Sequence, residues 1–176
     1  MLPYVFDSTA VKVVFPQGVT AWISVAGGQY YTLALGNDGN IYSWGLNDHG
    51  ELGVGTTVND SLPEKVIMPA GVTRWTSIAA GGPSAYAIAA DGSLYSWGSN
   101  GFGQLGNGST SDSYSPVKVI MPAGVNAIAI SAPSNSAMAI GSDGNLYTWG
   151  RNGDAQLGTG NTTDKNSLVQ FNYQLE

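Results

Sequence analysis

The one histidine, His49, and a set of aspartates at Asp38, Asp91 and Asp143 are the residues whose types and spacing could carry chemistry. A histidine can serve as a base or a metal ligand near neutral pH, and aligned carboxylates can hold calcium. His49 lies in Asn47-Asp48-His49-Gly50, and Phe102 and Asp154 fill its slot in two related stretches further on. That exchange suits a variable loop tip, not a catalytic position. Each aspartate is followed by glycine, a strong hairpin signal, with both central positions of a type I′ turn at positive φ. A calcium ion wants six to eight oxygens, more than any one of these turns supplies. The glycine-rich strings GELGVG and GQLGNG lack the Lys-Ser/Thr ending of a phosphate loop and precede no helix. With no cysteine there is no thiol chemistry. No catalytic residue, metal or cofactor is expected, and the chain reads as a non-enzyme.

What positions these residues is a repeat. Trp44, Trp97 and Trp149 end the runs DGNIYSWG, DGSLYSWG and DGNLYTWG and stand 53 and 52 residues apart. The octet KVIMPAGV occurs at Lys65–Val72 and again at Lys118–Val125, with a looser copy, KVVFPQGV, from Lys12. Periods of this size mark units that stack on their neighbours. The chain divides into one repeat domain, 1–176, with repeats at about 11–63, 64–116 and 117–168. A further copy of the first strand follows at 169–173.

Short runs punctuated by Gly, Pro and Asn are strand lengths, and no helical period appears. Each unit is expected to hold four strands. They are Val11–Phe15, Trp22–Ala26, Thr32–Leu35 and Ile41–Trp44 in the first. The second has Lys65–Met68, Trp75–Ala79, a run around Tyr86 and Ile88, and Leu94–Trp97. The third has Val117–Met121, Ala127–Ser131, Ala137–Ile140 and Leu146–Trp149. The fold class is all-β, a β-propeller of four-stranded blades. Alanines of the third strand (Ala85, Ala87, Ala89, Ala90) suggest a place near the crowded axis.

After each Trp-Gly comes a loop: WGLNDHGELGVG, WGSNGFGQLGNG, WGRNGDAQLGTG. These strings, with a glycine-rich step and an apolar strand before the Asp-Gly, resemble the regulator of chromosome condensation repeat family over residues 11–172. The resemblance implies a propeller, commonly seven-bladed, in a family that includes small-GTPase exchange factors, chromatin binders and bacterial β-lactamase inhibitors. The chain departs from the pattern in several places. Tyr31, Ser84 and Ser136 stand where the family usually has histidine, Pro133 replaces a glycine, and the third copy lacks a counterpart of Trp75. Ala155 replaces the loop glycine found at Gly50 and Gly103.

Three blades are too few to close a ring, since propellers close with about four to eight. Completion by a second copy, giving six blades, is the favoured expectation; the other is that the chain belongs to a longer propeller. The spare strand at 169–173 would complete a blade in the partner. Twelve acidic against six scattered basic residues give a net charge of −6, which argues against nucleic acid and anionic membranes as partners. No apolar run approaches the roughly 20 residues of a membrane span, and the opening MLPYVFDST shows no signal peptide. The Asn, Ser, Thr and Gly vocabulary points to an extracellular or cell-surface setting.

Recurring Trp44, Trp97 and Trp149, with Tyr42, Tyr95 and Tyr147, are assigned to packing. The less regular Tyr30, Tyr31, Phe102 and Tyr114, with His49, Asp154 and Arg74, are the candidate partner contacts, since aromatics and arginine dominate binding hot spots. The expected function is a binding or scaffold module presenting variable loops to a protein. A carbohydrate-binding propeller and a ligand-free self-assembling structure are the alternatives.

Overall fold

The computed structural model describes residues 9–170. The first four strands are β1 (Trp22–Gly27), β2 (Tyr31–Gly36), β3 (Ile41–Gly45) and β4 (Asp60–Lys65). They are followed by β5 (Trp75–Gly81), β6 (Ser84–Ala89), β7 (Leu94–Gly98) and β8 (Ser113–Lys118). The last four are β9 (Ala127–Ser131), β10 (Ser136–Gly141), β11 (Leu146–Gly150) and β12 (Lys165–Gln170). They form three antiparallel sheets, each in chain order, and no helix occurs among the described residues. These are three four-stranded blades of a β-propeller. Neighbouring blades meet through β1, β5 and β9, which are therefore the innermost strands.

Two expectations about the strands need correction. The KVIMPAGV segments do not open a blade. The paired strand lies just before each, and its last residue bonds across the preceding blade, as Lys65 opposite Tyr42 and Lys118 opposite Tyr95. Val66 and Val119 extend this by one bond, to the carbonyls of Ile41 and Leu94. The ladder ends there, before Pro69 and Pro122, because Ile67 and Ile120 donate instead to the loop carbonyls of Gly53 and Gly106. The blades thus run Trp22–Lys65, Trp75–Lys118 and Ala127–Gln170, out of phase with the repeat as first drawn. Val11–Phe15 forms no strand. Val169 and Gln170 are the end of β12 and complete the third blade, so they are not a spare strand; 171–173 lie outside the described residues.

The Asp-Gly turns sit where expected, with a different geometry. Gly39, Gly92 and Gly144 have φ of 80°, 81° and 80°, while the aspartates keep negative φ. Gly39 donates to the Gly36 carbonyl and Gly36 to that of Asn40, a tight turn closed by a left-handed glycine. The aspartate side chain caps the turn, accepting from the backbone N–H of Asn40, Ser93 or Asn145 at 2.9–3.1 Å. In the third blade Tyr147 also donates to Asp143 (2.6 Å), and these bonds hold the carboxyl below its ordinary pKa. Tyr42, paired likewise with Asp38, is pushed up to about 12, first by burial and then by that carboxylate.

The core sits between blades. One cluster joins Leu33, Leu35 and Ile41 of the first blade to Trp75, Ala85, Ala87 and Trp97 of the second. Another joins Tyr86, Ile88 and Leu94 to Ala137, Ala139 and Trp149. The alanines of β6 are small because the side chains of the neighbouring blade fill the space above them, so they serve this joint; the axis belongs to β5. Each joint is pinned by an indole: Trp97 Nε1 donates to the Glu51 carbonyl (2.8 Å) and Trp149 Nε1 to the Gln104 carbonyl (2.7 Å).

Candidate functional site

The loops after β3, β7 and β11 are built on one frame. Asn47, Asn100 and Asn152 are fully buried. In the second blade the Asn100 side chain accepts from Leu105 N–H (2.9 Å) and donates to the carbonyls of Ser109 (3.0 Å) and Ser111 (2.9 Å). Its backbone N–H goes to Asp112 (2.8 Å), as those of Asn47 and Asn152 go to Asn59 and Asp164. The strand hydroxyls Ser43, Ser96 and Thr148 bind the carbonyls of Leu52, Leu105 and Leu157. A loop run over a protein surface must satisfy its backbone somewhere; here buried side chains do it. The tips at His49, Phe102 and Asp154 are then free to differ.

Antiparallel order places these loops, and the β1–β2 turn carrying Tyr30, at the same end of the molecule. His49 reaches across the first joint: its Nδ1 lies 2.8 Å from Asp112 Oδ2, in the loop of the next blade. That bond is the main cause of a raised His49 pKa, with partial burial opposing and Glu51 and Asp48 assisting. Beside it is a cavity of about 170 Å³ whose walls include Tyr30, Asp48, His49, Glu51 and Pro83. Glu51 occupies the slot of Gln104 and Gln156, is 1% exposed and accepts from His49 N–H (2.8 Å); desolvation raises its pKa.

His49 gives a direct test. Its imidazole should titrate above the ordinary value of about 6.5, and Asp112→Asn should bring it down. The folded pKa is raised, so the pair's contribution to stability is complete below that ordinary value and is lost as pH rises through the raised one. NMR titration of the ring protons reads this; an unchanged pKa in Asp112→Asn would contradict the pairing.

The other expected contacts divide. Tyr30 is 68% exposed at the cavity mouth, and Phe102 and Tyr114 are partly exposed on the same end. Asp154 is exposed and pairs with Arg151 at 3.1 Å. Tyr31 is 4% exposed and donates to the Ser84 carbonyl at 2.6 Å, so it serves the blade joint. Burial, with Tyr86 and Glu51 nearby, holds its phenol well above the ordinary value. Arg74 packs under Gly39 at the β2–β3 turn, the opposite end from the loops. Sequence reading did not single out Glu51, Asp112 or the buried asparagines. The asparagines carried a signal, recurring as W-G-x-N; Asp112 meets His49 across 63 residues with none. Among the described residues no cluster of three or more His, Asp or Glu could hold a metal.

Family comparisons agree with this geometry. A model described as "Regulator of chromosome condensation (RCC1) repeat" matches residues 38–88, 91–140 and 143–171, and a second form matches 22–51 and 75–104. The ultraviolet-B receptor UVR8 of Arabidopsis thaliana is 35% identical over 85% of this chain, which spans 34% of that protein. The mitochondrial RCC1 domain-containing protein RUG3 of the same plant is 34% identical over 87% of the chain and 34% of its own length. Among solved structures, human WBSCR16 superposes with a TM-score of 0.76 at 25% identity, over 86% of this chain and 39% of that one. Prp20p from Saccharomyces cerevisiae, described with its binding to Gsp1p and histones, gives 0.75 at 24% identity, over 85% and 38%. The chain thus spans about a third of the plant relatives it matches. Matched by the repeat over more than half of its length, it belongs to the regulator of chromosome condensation (RCC1) repeat family.

Proposed function

We propose that this part of an RCC1 propeller is a non-catalytic binding module whose loop-bearing end contacts another protein. The observation that carries this reading is the contrast within each loop: a buried asparagine frame that repeats, and exposed tips that do not. Tyr30, His49, Phe102, Tyr114 and Asp154 present exposed aromatic, imidazole and carboxylate groups at that end. Rigid scaffolds with variable loops are where recognition concentrates. Prp20p, alike in fold, is described as binding proteins; the partner here is not carried over from it. Self-association of the chain belongs to the same reading: Ile140 and Leu146 of the third blade, whose counterparts are buried in the blade joints, are 42% and 37% exposed among the described residues.

The test uses the chain as bait against a partner captured with it. Combined Tyr30→Ser, His49→Ser and Phe102→Ser should abolish capture with an unchanged circular dichroism spectrum, while Arg74→Ser, at the opposite end, should leave it intact. Equal capture by both variants, or loss only with Arg74→Ser, would refute the loop end as the contact. Binding on a glycan array, abolished by the same loop changes, would favour the carbohydrate reading instead.

A further inference from the structure

The three loop frames differ at one position. Gln104 and Gln156 each accept through Oε1 from the backbone N–H two residues back, Phe102 at 2.9 Å and Asp154 at 3.0 Å. Glu51 makes the same bond with His49 N–H at 2.8 Å, so the frame needs an oxygen there and not a charge. Glu51 is as buried as Gln104, at 1% against 0% exposed. Only backbone N–H groups, its own and that of His49, bond the carboxylate. Among the described residues no basic side chain forms an ion pair with it. A carboxylate taken out of water without a cation is a net cost to the fold. Glutamine would spare the loop that cost.

The charge belongs to a cavity. Glu51 is part of the wall of the space of about 170 Å³ between the first and second blades, and Asp48 adds a second carboxylate to that wall. His49 lines it too, and Asp112 pairs with the imidazole at 2.8 Å. Even protonated, His49 is matched by Asp112, which leaves the cavity net negative. None of the charges acting on Glu51 or His49 belongs to a lysine or arginine. At the mouth the Tyr30 ring, 68% exposed, offers a face on which a planar cation can stack. The volume is that of roughly five waters at ~30 Å³ each, well below the ~300 Å³ at which sites for whole small molecules begin. It suits one side chain.

We propose that this cavity takes the guanidinium of an arginine from the partner protein, paired with Glu51 and Asp48 and stacked on Tyr30. This rests on the loop-end reading above and names the chemistry that end meets. Arginine fits better than lysine, because its planar fork matches a carboxylate, stacks on aromatic faces and is more weakly hydrated. Every wall belongs to the first two blades, which stack on each other within this chain.

NMR titration of the whole chain with Nα-acetyl-arginine methylamide tests this. Saturable shifts are expected at Tyr30, Asp48 and the His49 ring, and none with the citrulline analogue, whose neutral ureido group has the same shape. Glu51→Gln, the residue of the other two loops, should weaken binding about tenfold or more and raise the melting temperature. Tyr30→Ser should weaken binding several-fold. Glu64→Gln, exposed on β4, removes the same net charge and should leave the affinity unchanged. Equal binding of the citrulline analogue, or of the arginine probe by Glu51→Gln, overturns the pocket. A lower melting temperature for Glu51→Gln also overturns it, since the carboxylate would then serve the loop itself. Tighter binding of the lysine analogue overturns the choice of arginine. No shift in wild type overturns the pocket alone, and the loop-end reading then stands or falls on the capture experiment.

Discussion

Trp97→Ala should destabilise the chain by about 3–5 kcal/mol, the range for removing a large buried aromatic. The indole is fully buried, packs against Trp75 and holds the carbonyl of Glu51. Alanine opens a cavity at the joint of blades one and two and leaves that carbonyl unpaired in a dry site, where each unsatisfied group costs about 1–3 kcal/mol. Since the core lies between blades, the loss falls on stacking and not on any single sheet. Trp44→Ala, at the same blade position with half its environment open, should cost the dilute monomer much less. Urea unfolding of the two variants at low concentration measures the difference. Equal losses would mean that the indole stabilises its own blade and not the joint.

Gly103→Ala should be nearly as damaging, although it adds one methyl group. The glycine has φ 74°, where an alanine is strained by roughly 1–2 kcal/mol. Its Cβ would also fall 2.4 Å from the backbone of β12 at Asn166, which a flexible side chain could not relieve. Overpacking of this kind adds about 1–3 kcal/mol, and the bond from Gly108 N–H to the Asn166 carbonyl (2.9 Å) sits in the same contact. Gly101→Ala, two residues earlier with open space around it, is the control and should be close to neutral. Thermal unfolding of the pair reads the contrast; a mild Gly103→Ala would show that the loop does not press on the next blade as described.

Most of the architecture was legible in the residues. Asp-Gly marked the three hairpin turns because only glycine takes the left-handed position cheaply, although one such residue per turn suffices. The inner three strands of each blade were visible as short apolar runs. The outermost strand was not. DSLPEK, SYSPVK and KNSLVQ lack alternation, and Pro63 and Pro116 argue against pairing; an edge strand tolerates proline because one side of it faces solvent. The more apolar KVIMPAGV reads as the opening strand of the next blade and so displaces the blade boundary. Side-chain roles were harder to read. Tyr30 and Tyr31 are adjacent and look alike, but Tyr30 lies in the β1–β2 turn, open to solvent, while Tyr31 opens β2 and is buried in the joint. His49 was singled out for its type, whereas Asp112, which sets its protonation, becomes its neighbour only when two blades stack.

Hydrogen exchange at the tryptophan indoles, followed by NMR on dilute monomer, tests the stacking most directly. The Nε1 protons of Trp97 and Trp149 should exchange only when a whole joint opens, far more slowly than that of Trp44, which has no such carbonyl among the described residues. If Trp97 and Trp149 exchanged as fast as Trp44, the blades would not be joined through their indoles, and the loop end would not be held as described.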